Sequence, residues 1–145
     1  MINTFNIEKA FKMKAERGWG MLYVAIDLHS TLIKPHHDVI EYYPGAIEVI
    51  KWFNSRPDFR IILWTSSYPA EIVKFLEDTW KVGIRFDYVN QNPLEQNSKL
   101  ACFNRKFYFN ILLDDRAGFN GETDWLKIKE ALITINEWQK SPLFA

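Results

Sequence analysis

The chain has 145 residues, 48% of them hydrophobic, with 18 Lys and Arg balanced by 18 Asp and Glu. This size and composition predict one compact domain, residues 1–145, and zero net charge supplies no field to draw in nucleic acid or an anionic membrane. The lone Cys102 can close no intrachain disulfide and build no thiolate metal cluster, so it is expected as a small core residue in a reducing compartment.

Near the amino end, Glu8, Lys9, Lys12, Lys14, Glu16 and Arg17 interrupt the apolar positions, so the uninterrupted centre of a signal peptide is missing. No apolar stretch approaches the roughly 20 residues that cross a bilayer. A cytoplasmic location without a membrane partner is therefore expected. The first predicted element is a helix over 7–17, capped by Asn6 and stopped by Gly18. Residues 21–28 (MLYVAIDL) are apolar almost throughout, the pattern of a strand buried on both faces. A polar loop through His36 and His37 leads to a helix introduced by Pro44 and Gly45, with Ile47, Ile50, Trp52 and Phe53 on its apolar face and Pro57 at its end.

The next strand spans 60–65 (RIILWT), and a helix over 70–80 follows, entered through Ser67 and Pro69 and closed by Gly83. A short strand is predicted at 86–89. Residues 90–104 are polar and irregular, with one helical turn at 99–103, before a strand at 107–113. Trp125, Ile128, Ala131, Leu132, Ile135 and Trp138 recur at helical spacing and predict a last helix of nearly four turns, with Asp124 near its start and Lys140 near its end.

Apolar strands alternating with helices predict an α/β fold with a parallel sheet covered on both faces. In such a sheet the carboxyl ends of the strands share one edge, where ligands bind. Polar residues follow three of those ends: 27–31, 65–67 and 114–116. Asp27, Asp114 and Asp115 are hard oxygen ligands suited to magnesium. Asp27 is also placed to attack phosphorus, with Thr65 or Ser66 donating to the other phosphoryl oxygens and Lys99 or Lys106 adding positive charge.

These residues resemble a known family. Asp27-Leu28-His29-Ser30-Thr31 after a buried strand, Thr65 at the next strand end, a downstream lysine, and Ile111-Leu112-Leu113-Asp114-Asp115 are similar to the four motifs of the haloacid dehalogenase-like phosphohydrolases, over about residues 21–120. Val89-Asn90-Gln91-Asn92-Pro93, Asn104-Arg105-Lys106 and Leu113-Asp114-Asp115-Arg116-Ala117-Gly118-Phe119 resemble a short branch of that superfamily found in bacteria and phages. The resemblance implies a Rossmann-like three-layer sandwich with a mostly parallel sheet. It implies a magnesium-dependent phosphohydrolase acting on a phosphomonoester through an aspartyl-phosphate on Asp27. Asp27 and Asp114 would be magnesium ligands, Asp115 would support the ion directly or through water, and Thr65 would bind phosphate. Lys106, with Lys99 as substitute, would be the motif lysine.

One position departs from that pattern. The residue two after the nucleophile, usually an aspartate serving as general acid and base, is His29. Its main-chain carbonyl would still serve the metal, and an imidazole titrates close enough to neutral pH to move a proton. Hydrolysis is then expected to favour activated esters such as aryl phosphates. The alternative is a catalytically weak or inactive phosphate-binding or interaction domain.

The intervals 31–65 and 65–106 are too short for an inserted cap domain, so the resemblance is to a capless member. An open site suits a large phosphorylated substrate, or shielding by a second subunit in a homo-oligomer. A nucleotide or polynucleotide phosphate is a narrower option that the net charge does not support. Among the blander readings, His29, His36, His37 and Asp38 match no strong zinc spacing, Trp64 is expected in the core, and Arg116 is expected as an ion-pair partner of Asp114 or Asp115.

Overall fold

Runs of mostly apolar residues bounded by polar turns form one parallel sheet. In the computed structural model, which describes residues 4–36, 38–93 and 106–141, the strands are β1 (Leu22–Ile26), β2 (Phe59–Leu63), β3 (Tyr88–Val89) and β4 (Ile111–Leu113), in the spatial order β3-β2-β1-β4. All pairings are parallel, and Ile26 lies in register with Leu63 on one side and Leu113 on the other. The helices are α1 (Thr4–Arg17), α2 (Ala46–Ser55), α3 (Pro69–Val82) and α4 (Asp124–Thr134). This is the α/β architecture of a Rossmann-like three-layer sandwich. Among the described residues no helix is long and apolar enough to cross a membrane.

Side chains alternate across the sheet. Leu22, Val24 and Ile26 point into the main core with Phe59, Ile61, Leu63, Ile111 and Leu113. Ile7 and Ala10 of α1, Val49, Ile50, Trp52 and Phe53 of α2, Phe75 of α3, and Trp125, Ile128, Ala131 and Leu132 of α4 close that core. Burying each Val, Leu, Ile or Phe among them contributes about 1.5–3 kcal/mol before entropy is counted. The other face carries Ala25 and Ile62, both fully buried, and Tyr23, whose ring meets Tyr108 edge to face at 5.4 Å.

Four expectations change in the structure. The first helix begins at Thr4, so Asn6 lies inside α1 rather than capping it. The strand expected over 107–113 is paired only from Ile111, because the Asn110 side chain accepts from the Tyr23 N–H (2.7 Å) while its own N–H donates to the Tyr23 carbonyl (2.8 Å). This exchange ends the ladder. The last helix stops at Thr134: Asn136 takes a left-handed φ of 60°, its N–H donates to Ile133 O and that of Glu137 to Leu132 O, a Schellman closure. Trp138 belongs instead to a separate 3₁₀ turn, Trp138–Lys140, where it stacks on Trp52 with ring centroids 6.0 Å apart. Trp64, expected in the core, lies beyond the end of β2, is 38% exposed and stacks on Phe107 at 3.8 Å. The helical turn expected at 99–103, with Lys99 and Cys102, lies outside the described residues, as does His37.

Candidate active site

The central position of β1 brings the ends of β2 and β4 to its flanks. The Asp27 N–H donates to Leu113 O (2.9 Å) and the Trp64 N–H to Ile26 O (2.9 Å), so the ladder continues one residue past each strand. Asp27 and Asp114 therefore emerge side by side. Beyond Asp27 the chain curls through a single turn: Leu32 and Ile33 both donate to Leu28 O, and Ser30 adopts a left-handed φ of 65° while donating to Ile33 O. That turn returns Thr31 beneath Asp27.

Thr31 is fully buried, and its hydroxyl connects the two strand ends. It accepts from the Asp115 N–H (2.9 Å), and its one hydrogen faces Asp27 Oδ2 at 3.2 Å and Asp115 Oδ1 at 3.4 Å. From behind, Trp125 Nε1 donates to the Thr31 carbonyl (2.8 Å). Asp114 caps the 3₁₀ turn Asp115–Ala117 by accepting from the Arg116 N–H (2.9 Å). Gly118 closes that turn at φ 97°, a conformation that costs glycine little. The main-chain N–H of Arg116 thus performs the orienting role expected of its guanidinium, which makes no ion pair with Asp114 or Asp115 among the described residues.

Carboxylate oxygens of Asp27, Asp114 and Asp115 lie within 4.8 Å of one another. Three like charges at this spacing resist simultaneous ionisation. Burial pushes the Asp27 carboxyl up to about 7, helped by its hydrogen bond with Asp115 and the charge of Asp114. A hard cation would relieve that repulsion, and the all-oxygen donor set fits magnesium, which binds through a few carboxylates and keeps its other positions for water or phosphate.

The acidic group opens into a cavity of about 430 Å³ whose wall includes Asp27, His29, Thr65, Ser66, Asp114 and Asp115. Six of the seven described positions expected from the sequence thus meet in one space. The exception is Lys106, which is exposed, is anchored through its carbonyl to Asn92 Nδ2 (3.2 Å), and is not part of the wall. Arg116 is on the wall and brings a cation there. Thr65 is positioned through its N–H, which donates to Asn90 Oδ1 (2.8 Å), and its hydroxyl bonds that of Ser67 (2.8 Å). The His29 imidazole stands at the rim, with Nε2 at 3.5 Å from Glu71 Oε2 on the first turn of α3. Thr31 was not singled out as a site residue; the signal for it is a hydroxyl four residues after Asp27, the spacing of one helical turn.

No protein-family model matches the chain, and no curated protein matches it. Among solved structures it is similar to a protein of Bacteroides thetaiotaomicron described as a conserved protein coded by locus. The two are 25% identical with a TM-score of 0.61, over 80% of this chain and 92% of that one, and the likeness extends to the fold.

Proposed function

We propose that the protein is a magnesium-dependent hydrolase of phosphomonoesters, of the haloacid dehalogenase-like kind, acting in the cytoplasm. The observation that carries this reading is the convergence of Asp27, Asp114 and Asp115 at the carboxyl ends of adjacent parallel strands. Bound magnesium would neutralise the phosphoryl oxygens and the acidic group together. Asp27, Asp114 and the supporting Asp115 would hold it.

The protein's own groups then divide the work. An Asp27 oxygen attacks phosphorus, and the bond to the ester oxygen breaks as that oxygen takes a proton from the His29 imidazolium. The neutral imidazole next accepts a proton from water as that water attacks the aspartyl-phosphate phosphorus. Inorganic phosphate leaves, and Asp27 and His29 are restored. Thr65 and Ser66 donate to the phosphoryl oxygens, with Arg116 as the nearby cation. A His29 imidazole in place of a carboxylic acid favours esters whose leaving oxygen needs little protonation.

The test is phosphate release from aryl and alkyl phosphomonoesters with magnesium or chelator, with Asp27→Asn as control. Magnesium-dependent release that disappears in Asp27→Asn supports the reading. Silence on every ester, with magnesium binding retained, favours a phosphate-binding domain that kept the acidic group and gave up turnover at His29.

A further inference from the structure

His29 and Ser66 each border two spaces. On one side is the acidic cavity; on the other is a recess of about 560 Å³ between the loop after β1 and the start of α3. Apolar side chains dominate this recess: Leu28, Ile33, Val39 and Ile40 from the loop, Tyr68 and Phe75 from the α3 side. The loop holds its wall in place through backbone bonds from Lys34 N–H to Glu41 O (2.8 Å) and from Tyr43 N–H to Leu32 O (3.1 Å), with Ile33 bridged to both His29 and Tyr42. Two large apolar side chains at the recess stay open to water, Tyr68 at 77% and Val39 at 60% exposure.

Resting on the hydrolase reading of the acidic cavity, we infer that this recess receives the organic group of the substrate, and that the substrate is a small phosphomonoester of a largely apolar, ring-bearing alcohol or phenol. The volume lies within the ~300–1,000 Å³ typical of small-ligand sites. His29 stands on the wall shared by the two spaces, so an ester oxygen passing from one to the other meets the imidazole there. The recess carries the carboxylates of Asp38 and Glu71 against the ammonium of Lys74 and the imidazoles of His29 and His36, so it offers no excess of positive charge to a second phosphate or carboxylate on the leaving group. A polypeptide or polynucleotide would bring backbone polar groups against the apolar wall, where their desolvation goes uncompensated.

The experiment measures binding and turnover with matched probes. 1-Naphthylmethylphosphonate carries an unhydrolysable C–P bond and spans both spaces, whereas inorganic phosphate and 1-naphthol each occupy one. With magnesium present, the phosphonate is expected to bind at least ~100-fold more tightly than either fragment, because linking the fragments makes the second contact intramolecular. It should also displace both. Ala70→Trp, at an exposed position lining the recess, should weaken phosphonate binding and raise KM for 1-naphthyl phosphate about tenfold. Phosphate affinity and kcat/KM for methyl phosphate should stay unchanged.

A phosphonate that binds no better than phosphate overturns the inference, as does an Ala70→Trp effect equal on both esters. So does a higher kcat/KM for a phosphopeptide or a 5′-phosphorylated oligonucleotide than for 1-naphthyl phosphate. If no ester is turned over while the phosphonate keeps its binding advantage, the hydrolase reading itself has failed, and the leaving-group assignment falls with it.

Discussion

Replacing Asp27 by asparagine should make the metal-free protein more stable, although the same change removes the proposed nucleophile. A rise of the carboxyl from 3.8 to about 7, at about 1.4 kcal/mol per tenfold in proton affinity, puts a ceiling of about 4 kcal/mol on the cost of ionising Asp27 in the folded chain. The group is only half-buried, and solvent screening reduces the expected gain from Asp27→Asn to about 1–2 kcal/mol. For a chain of this length that is roughly 3–8 °C in Tm. The folded carboxyl holds its proton more tightly than the unfolded one, so the penalty is absent well below pH 3.8 and complete above about 7. Stability attributable to this group therefore falls as pH rises between those values. Thermal unfolding in chelator should show the Asp27→Asn gain at pH 8 and most of it gone at pH 5. Added magnesium should raise the Tm of the unmodified protein and leave the variant nearly unmoved. A variant no more stable at pH 8, or a gain equal at both pH values, would refute the electrostatic account of the acidic group.

Magnesium competes with the proton on Asp27, so its affinity by calorimetric titration should weaken as pH falls below about 7; a pH-independent affinity between 5 and 8 contradicts this. His29→Asp should raise kcat/KM on alkyl phosphates more than on aryl phosphates, and parallel changes would show that residue 29 does not protonate the leaving group. Thr31→Val leaves the Asp115 N–H without its acceptor and should cost about 1–3 kcal/mol in urea unfolding, with Thr31→Ser restoring most of it. A Cβ at Gly121 would lie 2.5 Å from Tyr43 Cδ2, so Gly121→Ala should destabilise by about 1–3 kcal/mol, read from the denaturation midpoint. Asn136→Gly should be tolerated at its left-handed φ, whereas Asn136→Val should lower the Tm, since a β-branched side chain clashes there.

The sheet and its carboxyl edge were legible because buried parallel strands appear in sequence as unbroken apolar runs, and an aspartate directly after such a run marks where the strand leaves the core. Asp27 and Asp114 were accessible this way. Thr31 depends on information that periodicity does not contain: a left-handed residue at Ser30 that turns the chain back, and the pairing of β1 with β4 that brings Asp115 to the same hydroxyl. The apolar phase through Trp138 suggested a longer final helix because the side chain re-enters the core, though from a separate turn. Trp64 sits one residue beyond the end of an apolar strand, and the apolar run does not register that its ring leaves the core to stack on Phe107. Lys106 was read from its place in the Asn104-Arg105-Lys106 segment; its carbonyl accepts from Asn92 Nδ2, and it is not part of the cavity wall.

The Thr31 hydroxyl has a kinetic consequence as well. It joins two segments 84 residues apart, and the indole that holds it from behind is contributed still later in the chain, 94 residues from Thr31. Contacts of such high sequence separation form after the entropy of closing the intervening loop has been met. Cation binding is thus expected to lag behind the first burial of tryptophan during refolding. An ion-sensitive signal would time the docking of β4 and α4 onto β1, making the acidic group a clock for the final step of assembly.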